Sequence, residues 1–409
     1  MVGKYEHGNT VTAIVVGAEL NGLGVVRSLA RGGIPTVVVD SDPGRAAMHS
    51  RHARRHLVRS LAGPQFVEDL LSLGAQFERP PVLLLTAEES VHAVSEHRDQ
   101  LAPWFRFRLP SQERVRTLCS KADFHAFALE HDFPVPRTVI LENPADIGML
   151  AQLQFPCVLK PDDKRNVLNG QKDRAVRVTT LAQATQVAAD MLRTPGGIVA
   201  QEWIEGPESS IYFTLFYRGE DGNAVAAFTG RKLSCYPADV GSTAVCVAAP
   251  QARETLESLT LAFAERAGMD GMGSMEYKWD ELNGRFVMVE PTVGRTDWQE
   301  EIATLCGVNL PLAAYCHELG LPVAREMDVQ RQFAWRATLV ERAPAHLLDR
   351  RARMVDGYFR WNDPFPALQF YCLNHPFRRM SRRWNEIVKA RNVDTNLKSG
   401  SEYQQQQLP

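Results

Sequence analysis

The chain has 409 residues, 44% of them hydrophobic and 23% charged, and its 46 lysines and arginines against 48 aspartates and glutamates leave a formal charge of −2. That length exceeds one ordinary core, so two or three packed domains are expected, and the near-neutral balance excludes a global basic field for nucleic acid. No stretch reaches the roughly 18 uncharged apolar residues of a membrane span, Met1 to Thr10 lacks the apolar core of a signal peptide, and seven scattered cysteines without a CxxC pair point to reduced thiols in a cytoplasmic compartment.

Val11 to Val16 reads as a buried strand, followed by the glycine turn Gly17, Gly22, Gly24, a helix over Val25 to Arg31, and a second strand from Pro35 that ends on Asp40. Strand, glycine turn, helix and acid-ended strand make a Rossmann-type βαβ unit. The glycine spacing departs from G-x-G-x-x-G. The turn either brings backbone N–H groups to an anion or serves only a tight strand-to-helix connection. His52 and His56 stand four apart, as on a metal-binding helix. No acid or cysteine joins them and three arginines oppose a cation, so a solvated helix face or a phosphate contact is expected. Pro80 to Leu85 predicts another strand and Glu88 to His97 a helix.

Gln112 to His131 has helical apolar spacing and carries Lys121. Phe155 to Pro161 reads as a buried strand whose last side chains include Lys160, a charge that is costly there unless it meets an anion or emerges into solvent. Asp162 to Arg174 is charged and nearly devoid of apolar residues, which predicts a mobile loop; Lys164, Arg165, Lys172 and Arg174 could close it over phosphates. A strand from Ile198 then runs into Glu202, Trp203, Ile204, Glu205 and Gly206. Such an inter-lobe connection can hold an adenine between backbone groups and apolar side chains.

Two strands, Ser209 to Arg218 and Ala224 to Gly230, are expected next, with Arg231 and Lys232 at the strand end, where two cations suit an anionic transition state. Gly241 to Thr243 reads as a substrate loop. Gln251 to Ala267 predicts a helix leading into Gly273 to Arg295, two strands around the turn Glu281–Gly284. That hairpin brings Glu276 and Glu290 to the same end of the ribbon, a pair suited to Mg²⁺. Helices are expected over Thr296 to Leu305 and Leu310 to Leu319, and a strand over Phe333 to Val340. The aromatic and basic stretch 358–384 is either a satellite core or a peripheral membrane contact. Residues 392–409 have the composition of a disordered tail.

Taken in order, the helix lysine, the Lys-Pro strand end, the charged loop, the Gln-Glu-x-Ile-x-Gly connection, Arg-Lys and the hairpin ending Glu290-Pro-Thr-Val-Gly-Arg295 resemble the ATP-grasp superfamily over roughly residues 12 to 320. Within it the resemblance is to carboxylate–amine ligases of the amino-acid ligase-like and D-aspartate ligase-like type. The resemblance implies an α/β ATP-grasp fold of α+β lobes behind an N-terminal Rossmann-like pre-ATP-grasp domain. The expected units are 1–110 for that domain, 111–205 and 206–325 for the two lobes, 326–391 for a C-terminal subdomain and 392–409 for the tail. It implies that Lys121 and Lys160 hold ATP phosphates, that Glu202, Trp203 and Ile204 hold adenine, and that Glu208 holds the ribose. Glu276 and Glu290 become magnesium ligands, with Thr292 where the family usually has asparagine. Arg231, Lys232 and Arg295 become the catalytic cations.

The implied cofactors are ATP and Mg²⁺, two ions, with Mn²⁺ as an alternative. The implied partners are a small-molecule carboxylate, such as an amino acid, and an amine; a homodimer is compatible with this. The implied chemistry is amide formation through an acyl phosphate. Two other readings stay open: a nucleotide-dependent oxidoreductase built on the N-terminal unit, and a non-catalytic ATP-binding module.

Overall fold

The computed structural model describes residues 10–162, 175–193, 196–238, 241–323 and 332–374. The expected loop from Lys164 to Arg174, residues 375–384 of the aromatic and basic stretch, and the expected tail lie outside the described residues.

The N-terminal unit runs β1 (Ala13–Val16), α1 (Leu20–Arg31), β2 (Thr36–Asp40), β3 (Arg54–Leu57), α2 (Gly63–Gly74), β4 (Val82–Leu85), α3 (Glu88–Glu96) and α4 (Arg98–Leu101). Its four strands form a parallel sheet in the order β3-β2-β1-β4. Ile14 and Val16 pack with α2 and α3, and Ala13 and Val15 pack with α1, so the continuous apolar run of β1 is covered on both faces. α1 begins at Leu20, earlier than its apolar spacing predicts, and takes in both Gly22 and Gly24. A Cβ on Gly22 would lie 1.9 Å from the Gly17 carbonyl oxygen, and Gly17 itself has φ +94°, so both are needed for the tight turn. The expected helix through His52 and His56 is absent: His49 ends a short 3₁₀ turn and His56 lies on β3.

The next unit contains α5 (Gln112–Cys119), α6 (Lys121–Glu130), β5 (Thr138–Leu141), β6 (Cys157–Pro161), β7 (Val176–Val178), α7 (Leu181–Met191) and β8 (Ile198–Glu202). Its sheet is antiparallel, ordered β5-β8-β6-β7, over a core of its own that includes Leu141, Leu159, Ala184 and Ile198. The single helix expected over Gln112 to His131 is two. Ser120 takes an extended backbone and its hydroxyl accepts the Asp123 N–H, which caps α6 and leaves Lys121 as its first residue.

The third unit comprises β9 (Ile211–Arg218), β10 (Ala224–Tyr236), β11 (Ser242–Ala248), α8 (Arg253–Ala267), β12 (Gly271–Asp280), β13 (Arg285–Val293), α9 (Glu301–Leu305), α10 (Leu310–Glu318), β14 (Phe333–Arg336), β15 (Arg353–Asp356) and α11 (Phe365–Leu368). One seven-stranded sheet, ordered β13-β12-β9-β10-β11-β14-β15, joins them. One face of this sheet packs on α8 and the other on α9 and α10, and each core continues into the N-terminal unit. Of the stretch expected as a separate C-terminal subdomain, the described residues add β14 and β15 to this sheet.

The aromatic stretch is fastened inward. Arg27 on α1 pairs with Asp363 at 3.0 Å and donates to the carbonyls of Gly357 and Tyr358, both at 2.7 Å. Asp363, fully buried, also accepts from the Ser50 hydroxyl and the Arg51 N–H. Tyr358 stacks on Phe370 with centroids 3.7 Å apart. Among these aromatics Trp361 stands out, 87% exposed.

A second buried charge lies between α1 and α9. Glu300, 1% exposed, receives the hydroxyls of Ser28 and Thr304 at 3.3 Å. Burial, reinforced by neighbouring Glu301, pushes its carboxyl up from 4.5 to about 8. The native state therefore keeps a proton that the unfolded chain has lost, so this group's contribution to stability falls as pH rises from about 4.5 to about 8. Glu300→Gln should flatten the pH dependence of the denaturation midpoint across that window; an unchanged slope would refute the buried acid. Asp363→Ala, which strands Arg27 in the core, should cost about 3 kcal/mol or more in a denaturant titration.

Candidate active site

The three units enclose a cleft of about 960 Å³. Gly17, Asp40, Thr86 and Glu88 line it from the N-terminal unit, Lys121 and Lys160 from the second, and Lys232, Glu276, Glu290 and Arg295 from the third.

The second unit presents two lysines from different elements. Lys121 heads α6, its Nζ 3.4 Å from the Asp162 carbonyl, while the Asp162 carboxylate accepts the Ala122 N–H at 2.8 Å. One aspartate thus fixes the start of α6 against the end of β6. Lys160 lies on β6, its Nζ 3.5 Å from Oε1 of Gln201 on neighbouring β8.

Glu202, Trp203 and Ile204 line the cleft where β8 leaves the sheet. The N–H groups of Glu202 and Trp203 donate to the carbonyls of Arg137 and Pro156. The Arg177 guanidinium lies 5.2 Å over the Trp203 ring. Glu208 does not line the cleft: it sits in a 3₁₀ turn, and its carboxylate accepts the Cys235 N–H at 2.9 Å.

On the third unit the hairpin register is the central observation. β12 pairs with β13 so that Glu276 lies opposite Glu290 and Ser274 opposite Thr292. Residues two apart on a strand share a face, and Ser274, Glu276 and Lys278 with Glu290 and Thr292 all line the cleft. These carboxylate and hydroxyl oxygens form a hard donor set, which fits Mg²⁺ and leaves its remaining positions to phosphate oxygens and water.

Arg231 and Lys232 are not at a strand end as expected; β10 continues to Tyr236. The pleat separates them: Lys232 faces the cleft, and Arg231 points to the other side of the sheet, outside the lining. Lys232 is 4% exposed and ion-paired with Glu276. Burial works against its charge, but Glu276, with Cys235 and Asp297 beyond it, outweighs that and holds the ammonium above its usual range.

Arg295 does line the cleft, 3.4 Å from Glu88 and 3.2 Å from the Thr296 carbonyl. Asp40 fastens the turn before α1: it accepts the Ala18 N–H at 2.7 Å and the Asp42 N–H at 2.9 Å. That occupies the acid on which the oxidoreductase reading rests.

Two cleft residues were not anticipated. Asp297 receives Ser274 Oγ at 3.3 Å and Gln299 Nε2 at 2.9 Å. It lies in a stretch expected to be helical, although helix forms only from Glu301. Lys278 donates to the carbonyls of Gly206 and Pro207 at 2.9 and 2.8 Å. Its signal was present in the polar alternation Ser274, Glu276, Lys278.

No family model matches the chain. It is 23% identical over 317 residues to a D-aspartate ligase of Enterococcus faecium (strain Aus0004), covering 73% of this chain and 74% of the relative. Among solved structures it resembles an ADP complex of the N5-carboxyaminoimidazole ribonucleotide synthetase PurK, with a TM-score of 0.62 at 12% identity over 79% of this chain and 80% of the other. It also resembles biotin carboxylase from Campylobacter jejuni in a β-γ-ATP complex, with a TM-score of 0.61 at 13% identity over 77% and 72%. The fold is ATP-grasp. The chain is similar to carboxylate–amine ligases of that superfamily.

Lys160→Ala should weaken ADP binding in a calorimetric titration, while Arg231→Ala should leave it nearly unchanged. Equal losses in both would mean that the phosphates lie elsewhere.

Proposed function

We propose that the chain joins a small carboxylate, such as an amino acid, to an amine through an acyl phosphate, with release of ADP and phosphate. The observation that supports this is the convergence of Lys121, Lys160, Lys232, Glu276 and Glu290 on one cleft. Lys121 and Lys160 on one side and the paired acids with Lys232 on the other fit a triphosphate with its metal, and a simple apolar ligand would be poorly served by them.

In the first step a substrate carboxylate oxygen bonds to the γ-phosphorus of ATP as the bond to the ADP oxygen breaks. Lys121 and Lys160 hold the phosphate chain, and the Lys232 ammonium, already desolvated, offsets charge on the transferring group without reorganising. Glu276, Glu290 and Thr292 would hold Mg²⁺, which would supply charge neutralisation to the phosphates. Arg295 steadies the anionic end of the acyl donor. In the second step the amine nitrogen attacks the acyl carbon, phosphate leaves and the nitrogen gives up a proton, completing the amide. Trp203 and Ile204 flank the adenine.

Glu290→Gln keeps the size of the side chain and removes its charge. ADP formation should fall by at least about 100-fold with the fold intact by circular dichroism. Near-normal turnover would remove Glu290 from the metal set. A panel of carboxylates and amines scored by phosphate release tests the reaction itself: ATP binding with no ADP formed under any pair would favour a binding module instead.

A further inference from the structure

Beside the cleft, one group of side chains has metal-binding chemistry that the ligase reaction does not use. Glu88 and His92 stand one turn apart on α3, and Cys119 ends α5, which packs against α3. A carboxylate oxygen, an imidazole nitrogen and a thiol sulfur from these residues all lie within 4.8 Å of one another, and each residue is half-buried. A small adjoining pocket of about 20 Å³ is lined by Glu88 and Cys119, with His92 outside its lining, together with Lys121, Glu290 and Arg295. That volume holds about one water or one ion.

We propose that Glu88, His92 and Cys119 form a second metal site, specific for a borderline-soft divalent cation of the Zn²⁺ class. The donor atoms make the choice. Mixed oxygen, nitrogen and sulfur ligands suit zinc, whereas Mg²⁺ requires oxygens such as those of Glu276 and Glu290. Binding would convert the Cys119 thiol to a thiolate, its proton passing to solvent, and would leave a fourth position for water.

The local charge permits this. Lys121 and Arg295 oppose a cation in the small pocket, but Glu88, the Cys119 thiolate and Glu290 supply three negative charges against them. Arg295 now pairs with Glu88 at 3.4 Å. Metal and Arg295 therefore compete for one carboxylate, which couples the second site to the reaction cleft.

The test is equilibrium metal binding to the full chain, with excess Mg²⁺ and ADP keeping the cleft filled. One equivalent of Zn²⁺ should bind against a chromophoric indicator. His92→Ala and Cys119→Ser should each weaken it by at least about tenfold without lowering the melting temperature, and Glu276→Gln should leave it unchanged. Co²⁺ in place of Zn²⁺ should give a thiolate charge-transfer band that Cys119→Ser abolishes. Absence of binding, binding indifferent to His92 and Cys119, or binding lost with Glu276 would each overturn the proposal. Because the readout is binding, its failure leaves the ligase reading standing.

Discussion

A lysine with 4% of its surface exposed can remain charged only against an anion, and Lys232 meets that condition through Glu276. The arrangement of the cleft follows from this pair. It places a cation on β10 and a carboxylate on β12 at the same level of the sheet, with β9 between them. The hairpin register then sets Glu290 directly opposite Glu276. Neither acid would be well placed if the β12–β13 pairing slipped by one residue, because every side chain would change face.

The N-terminal unit does more than precede the lobes. Its helix α1 is clasped by the third unit through Arg27 and Asp363 and through Ser28 with Glu300 and Thr304. Asn21 adds a bond to the Thr296 carbonyl at 2.8 Å, just beyond Arg295. The glycine turn, whose Gly17 and Asp40 line the cleft, is therefore held against the chemistry by buried polar contacts as well as by apolar packing. The sheet of the second unit has a core of its own, while its helices α5 and α6 pack with the N-terminal and third units.

Much of the fold was legible because apolar periodicity and turn chemistry agreed. The β12–β13 hairpin around Asn283-Gly284, the β6 run into Lys160 and the β1–α1–β2 unit all emerged from short local signals. The errors share a cause: tertiary constraints acting on residues whose local pattern was ambiguous. Ser120 splits a continuous helical pattern because its hydroxyl caps α6. Gly22 and Gly24 fall inside α1 because the turn and its packing demand them. Arg231 looked equivalent to Lys232 until the pleat separated their faces. Glu208 lies outside the cleft lining, where its carboxylate accepts a backbone N–H from β10. Asp297 gave no signal, since a polar run after a strand is compatible with several structures, and long-range contacts alone place it beside Ser274.

Lys278 sits on β12 yet grips the carbonyls of Gly206 and Pro207, where the chain enters the third unit. Those two bonds anchor the downstream end of the crossover to rigid sheet. Any swing of the second unit's sheet about this crossover would therefore bend upstream of Gly206, within Trp203 to Glu205. Trp203 and Ile204, proposed to flank the purine, fall within that segment, so the pivot and the proposed base pocket share peptides. Rocking the cover would reshape the base's seat, and a seated base would stiffen the pivot.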